Sequence, residues 1–501
     1  MSTVAGRSPI PPPLMGNSAA GISPRALTVN YFLLSGGELL SKLAAFFAFT
    51  RLGRVLGAAR YGSIEFAIAL IVLFSWPVAF GLEEYGSREI ARRRHAGLPN
   101  QLALAYEIGV LRLLLAVTSL AVLAGVIWIL PRGAEDKQLL AMYGASLLLL
   151  PWLTHWFFQG CDDMGWSGFL SIVRNSTFAV LVLVFFNVNR PLYHVGIYEC
   201  TAVAVTALAG FWGLHRRFRT GIASPRISLR QHLWPHLTAA APIGFSTLSA
   251  IALWYLPTLV LGLRAEPRVL GEFGVAHRIT ISLHTFVWLY FVNLLPSLTR
   301  AAQDRRGLAD LLNASLTVSS WGALLVGLLG VIAAGPLVDR SYGAGFHSAA
   351  PVLSTLIVII PIMMISGHYR YLLVAAGQQK WLMRWSLLAA GVTLMVVLLA
   401  TRAGSLGAAC AILAGGLVQL VLTYRSVCRH VVDLPFWRPL VRPCLAFCVA
   451  LVLHLVLTPV IPGAAALVSP AAFLLALWIF ERRRLLRGIA LLGKPQQERA
   501  A

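Results

Sequence analysis

Five basic residues stand inside stretches that are otherwise apolar: Lys42, Arg112, Arg174, Arg278 and Arg370. A charge at the centre of a bilayer costs roughly 2.5–3.5 kcal/mol on insertion scales, so such a residue faces protein or a water-filled cavity. The matching ligand is an anion with several acceptor oxygens. Arg offers a planar donor fork that fits phosphate, and Lys a mobile point charge. Lys42, Arg278 and Arg112 are the leading candidates for binding such an anion. Arg174 and Arg370 fall near the ends of their segments, where long basic side chains snorkel to headgroups, and are weaker candidates.

The acids qualify this reading. Glu38 and Lys42 are four apart on one helix face and can neutralise each other. Arg278 has no acid on its own face. Arg112 is five residues from Glu107, poor spacing for a shared face, which leaves pairing across helices to Glu107 or Glu199. Glu38 and Glu107 are candidate sites for a coupling proton or Na⁺, with Glu199 behind them. His277 and His284, seven apart, share a face and could sense pH, although capping and interfacial roles are commoner. His155 and Gln159 share a face beside Trp152 and Trp156, aromatics that either stack on a sugar or form an interfacial belt. The six cysteines contain no CxxC. Cys444 and Cys448 read as small core residues, and no metal or cofactor is expected.

These residues are positioned by membrane-spanning helices. The chain has 501 residues, 58% hydrophobic and only 12% charged, with a mean hydropathy of +0.76. A soluble domain carries about 25% charged residues. Soluble enzymes, coiled coils, disordered chains and secreted disulfide scaffolds are therefore excluded. A span needs roughly 20 apolar residues. Such stretches fall at 29–49, 63–82, 102–130, 139–158, 169–186, 195–214, 237–263, 275–298, 316–334, 351–375, 382–400, 406–424, 440–457 and 464–480, so the expected fold is an all-α polytopic membrane protein of about 14 transmembrane helices. Pro242 and Pro257 fall within the seventh span and Pro296 near the end of the eighth, where proline permits a bend.

Lys+Arg number 41 against 19 Asp+Glu, a formal net charge of +22. No nucleic-acid motif accompanies the excess, and nucleic acid is not an expected partner. With the N-terminus inside, 26 basic residues fall in inner segments and 10 in outer loops. This bias predicts cytoplasmic termini. The N-terminal stretch is rich in Pro, Gly and Ser and lacks the apolar run of a signal peptide. No segment between spans is large enough for an outer domain. Glu135-Asp136 is the only adjacent acidic pair expected outside, which argues against a membrane glycosyltransferase or polymerase.

The string RVLG occurs at Arg54 and again at Arg268, 214 residues later. Each copy lies between the first and second helix of its half, and both are expected outside, as in a parallel repeat. The predicted organisation is a disordered cytoplasmic tail (1–26), a six-helix N-lobe (27–214), a cytoplasmic linker (215–236), a six-helix C-lobe (237–430), two further helices (431–481) and a basic cytoplasmic tail (482–501).

Five strings in matching order resemble one family. RLGRVLGAARYG (51–62) resembles the stretch after the first helix of polysaccharide flippases. WFFQG (156–160) resembles the motif closing their fourth helix, and GEFGVAHRI (271–279) the start of their eighth. YGAGFHSAAPVL (342–353) and AAGQQK (375–380) resemble the segments before and after helix ten. Arg54 and Val55 depart from the Pro and acidic residues often found there. The family is the Wzx-type polysaccharide and O-antigen flippases of the multidrug/oligosaccharidyl-lipid/polysaccharide (MOP) exporters. The resemblance implies a non-enzymatic transporter of the bacterial inner membrane. Its cargo would be an undecaprenyl-diphosphate-linked oligosaccharide, moved by alternating access through a cavity lined by helices one, two, seven and eight. Its partners would be membrane lipids and polysaccharide polymerase and chain-length proteins. A cation-coupled drug antiporter and a peptidoglycan-precursor flippase share the fold and stand as alternatives.

Overall fold

A computed structural model describes residues 24–93, 98–217, 233–301, 305–432 and 436–492. Most of the expected tails and linker, with Arg94, Arg219, Arg226, Arg230, Lys494 and Arg499, lie outside the described residues. Among the described residues every regular element is a helix. Bilayer hydrocarbon leaves no other open structure, since each N–H and C=O must be bonded within its own segment.

The first helix, α1 (Pro24–Ala79), holds two of the expected spans. It breaks at Gly57, with φ 70° and ψ 173°, a conformation that favours glycine. Gly37 lies against Gly168, while Trp166 touches Phe158, and Trp156 of the same short stretch packs on Gly86. Both ends of this hairpin therefore return to one end of the molecule, and the chain reverses at Gly57. The 13 helical stretches among the described residues that are long and apolar enough to cross a membrane coincide with the fourteen expected spans, because α1 holds two of them.

An amphipathic helix, α2 (Leu82–Arg92), follows, burying Leu82, Gly86 and Ile90 at four-residue spacing. Then come α3 (Leu98–Ile129) and α4 (Ala134–Ala145). The expected span 139–158 is not one helix. After α4 the chain passes through two 3₁₀ turns, at Ser146–Leu148 and Leu150–Trp152, before α5 (His155–Gly160). Pro151 has no N–H to continue an α-helical ladder. The first set ends with α6 (Met164–Phe185) and α7 (Tyr193–Arg217).

The second set comprises α8 (Trp234–Arg264), α9 (Pro267–Ala301), α10 (Arg305–Tyr342), α11 (Ala349–Leu356), α12 (Ile359–Ala375), α13 (Gln379–Leu399) and α14 (Gly404–His430). α15 (Trp437–Leu457) and α16 (Pro462–Leu492) pair with each other and lean on α10. α1 joins the sets, packing on α6 and α3 on one side and on α8 and α9 on the other.

The two RVLG copies meet at one end. Gly62 lies against Pro267 and Gly271, and Gly271 against Ala58. A Cβ at either glycine would strike a backbone carbonyl, so the close approach requires glycine at both. Arg54 donates to the carbonyls of Ser341 and Arg340, and Arg132 to that of Gly262. Tyr61 is sealed between Tyr342 and Phe346. At the opposite end Gly81 lies against Ala240 and Gly244, the Trp76 indole donates to the Gly244 carbonyl at 2.7 Å, and Phe245 packs on Trp76 and Phe80.

Candidate functional site

The basic residues within the spans do not form one open cluster. Arg278, on α9, is gripped by Glu65 on the second arm of α1. Nη2 lies 2.8 and 2.9 Å from the two carboxylate oxygens, and Nε 3.2 Å from one. Gly274, one turn before Arg278, makes room, because a Cβ there would collide with the Glu65 side chain. The guanidinium carbon sits 3.8 Å from the centre of the Phe49 ring on the first arm of α1, a cation–π contact. The absence of an acid on its own helix face therefore does not leave Arg278 unpaired. Its partner comes from another helix.

Arg112 is 1% exposed. It pairs with Glu83 at 2.6 Å and donates to the Leu150 carbonyl at 3.1 Å. The expected partners Glu107 and Glu199 are thus corrected to Glu83, which α2 presents at its first turn. Arg174 does not snorkel. It reaches Glu199 of α7 at 2.6 Å, the nearest neutralising charge for a guanidinium held between α6 and α7.

Lys42 differs. It is exposed, and it forms no ion pair or hydrogen bond among the described residues. Glu38 acts on it electrostatically, but the Glu38 carboxylate accepts a 2.8 Å hydrogen bond from Ser171 rather than closing on the ammonium. Helical spacing puts Glu38, Lys42 and Phe49 on one face of α1. Ser41 beside them bonds Asn175, and Phe49 meets Phe178 and Arg278. Leu40, Leu43 and Phe47, exposed, occupy the opposite face. Lys42 stands at the border between the packed and the exposed sides of α1, within the fields of both Arg174 and Arg278.

Arg370 has no ion pair among the described residues, and its Nε is buried without a hydrogen-bond partner. His284 lies in its field and packs on Trp254 at 4.9 Å between ring centres. His277 is buried against Phe273, Tyr255 and Trp254, so it serves packing. Glu107 accepts from or shares a proton with His236 Nε2 at 3.0 Å, and His236 Nδ1 meets the Tyr85 hydroxyl at 2.9 Å. This chain ties α2 and α3 to the start of α8 at the end opposite the RVLG contacts. Gln159 bonds Ser167, and Trp156 packs on Gly86, while Trp152 is exposed beside Phe211.

The sequence and the helical fold have known counterparts. The model of the polysaccharide biosynthesis protein family matches residues 27–302, more than half of the chain. The chain belongs to that family. Over 378 residues it is 23% identical to the "Putative O-antigen transporter" of Escherichia coli (strain K12), covering 73% of this chain and 88% of that protein. Its fold resembles the lipid II flippase MurJ in an inward closed conformation, with a TM-score of 0.72 at 12% identity, covering 91% of this chain and all of that one. It also resembles an inward-facing multidrug resistance transporter of the MATE family in the MOP superfamily, with a TM-score of 0.62 at 16% identity over 79% and 94% of the two chains. This family member is thus a multi-pass helical membrane protein with a MOP-type fold.

Sequence reasoning missed Glu65, Glu83 and His236. Glu65 had a signal: it is the only acid in the expected span 63–82, and an intramembrane acid requires a partner.

Proposed function

We propose that this family member flips undecaprenyl-diphosphate-linked oligosaccharide repeat units across the bacterial inner membrane by alternating access, for assembly of a surface polysaccharide, with both termini in the cytoplasm. The observation that carries this reading is Lys42: an exposed ammonium on the Glu38–Phe49 face of α1, with no ion pair among the described residues, in the fields of two guanidiniums. Such a point charge attracts a diphosphate and repels the cationic cargo of a drug antiporter. Arg278, Arg112 and Arg174 supply positive field, but each is already engaged by a carboxylate. Their contribution is structural and electrostatic until a conformational change frees them.

Two clasps suit alternating access. At one end Glu65–Arg278, the glycine contacts and Arg54 hold the helix sets together. At the other, Glu107–His236–Tyr85 joins α2 and α3 to α8. The charge bias favours the RVLG end outside, so the Glu107–His236 end faces the cytoplasm, where the lipid-linked unit is made.

The test is Lys42→Ala in a host lacking its own copy of the gene. Surface polysaccharide disappears while the protein stays inserted and abundant, and Lys42→Arg restores part of the output. Normal polymer from the Ala variant would refute the reading.

A further inference from the structure

The acids are unevenly distributed. From Arg340 to Val432, the stretch that supplies α11–α14, there is no Asp or Glu, and α9 carries none after Glu272. Asp310 and Asp339 are the acids of α10; neither pairs with Arg370, and Asp339 is held by His347. The three paired guanidiniums of the spans each have a dedicated carboxylate. Arg370 is the span guanidinium without a carboxylate partner among the described residues.

Its surroundings are nevertheless built. No residue of α12 is exposed, and Arg370 is itself partly buried. One turn earlier, Ser366 Oγ is likewise buried without a partner, and the two groups lie on one face of α12. Tyr371 stacks on Phe291 of α9 with ring centres 5.0 Å apart and planes 19° from parallel. Beyond them the Tyr290 hydroxyl meets Ser315 at 2.6 Å, and Ser315 meets His368 at 3.0 Å. The unpartnered Arg370 Nε and Ser366 hydroxyl, on one face of α12 with the Tyr371 ring on the adjoining one, match a sugar bearing a planar acid. A guanidinium takes a carboxylate through two parallel hydrogen bonds, which an ammonium cannot copy.

We propose that Arg370 binds a carboxylate on the oligosaccharide part of the cargo, so that the transported repeat unit is acidic, of the uronic-acid type. This rests on the flippase reading above. In that reading Lys42, in the first helix set, takes the diphosphate, and Arg370, in the second, takes the sugar acid.

The test uses the purified full-length chain in detergent and three probes: trigalacturonate, neutral maltotriose and inorganic pyrophosphate. The wild type binds trigalacturonate at least ten-fold more tightly than maltotriose. Arg370→Gln removes that preference, Arg370→Lys keeps only part of it, and Lys42→Gln leaves it intact while weakening pyrophosphate. An equal affinity of the wild type for the acidic and neutral sugars would overturn the proposal. So would an unchanged preference in Arg370→Gln, or a loss confined to pyrophosphate, which would make Arg370 part of the head-group site. Should Arg370→Gln fail to fold, Arg370→Lys decides, and a full preference there overturns the proposal. None of these failures touches the Lys42 export test, so the two readings fall separately.

Discussion

The Arg278 guanidinium holds both carboxylate oxygens of Glu65 across 213 residues of sequence, with side chains only 17% and 3% exposed. Two helices that belong to different sets in the chain are pinned by one buried bidentate contact. Removing one partner from such a pair leaves an uncompensated buried charge and costs about 3–5 kcal/mol, whereas replacing both with apolar groups is often neutral. Glu65→Ala and Arg278→Ala should therefore each lower the thermal unfolding midpoint of the detergent-solubilised protein sharply, and Glu65→Leu/Arg278→Met should recover most of the loss. Additive losses in the double variant would show that the two side chains act independently.

The legibility of this molecule divides along range. Each expected span falls on apolar, helical chain, with 139–158 broken at two 3₁₀ turns, because each depends on about 20 consecutive residues and on hydrocarbon forcing the backbone into helix. The Gly57 turn also left a local trace in the RVLG string. The pairings did not. Arg112 finds Glu83 and Arg174 finds Glu199 only when three-dimensional packing brings separate helices together. Spacing along one helix reports only on partners three or four residues away. Glu38 and Lys42 show the limit from the other side. Their spacing is right for mutual neutralisation, yet Ser171 takes the carboxylate.

Arg112 and Lys42 are both cations of the apolar helices, and the structure places them in opposite settings. Arg112 is enclosed between Glu83 and the Leu150 carbonyl, holding α2 and the turn after α4 against α3. Arg112→Ala should strip Glu83 of its partner, reduce the amount of membrane-inserted protein severalfold and lower its unfolding midpoint, with export falling only in proportion. Lys42→Ala should do the reverse, leaving abundance intact. Quantitative immunoblots alongside polymer measurements separate the two. Equal export per molecule in wild type and Arg112→Ala marks a structural role, and a loss at normal abundance would contradict it.

Gly271 decides how closely the two helix sets approach at the RVLG end. Its missing side chain lets α9 rest directly on the Ala58 carbonyl, a backbone atom that cannot rotate away as a side chain would. Gly271→Val should therefore prop that end open without touching Glu65, Arg278 or Lys42. Closure and opening differ by a few kcal/mol in two-state transporters, so a clash in one state shifts the population toward the other. Ser63 is buried one residue past Gly62, and Ser63→Cys is a near-isosteric reporter there. In a chain whose six native cysteines are replaced, an impermeant maleimide should label this cysteine at least ten-fold faster with Gly271→Val than with Gly271 in place. Export should fall, because a molecule that cannot close on this side cannot complete a cycle. Unchanged labelling, with the variant folded, would mean that the glycine contact does not keep this end shut and that Glu65–Arg278 holds it unaided.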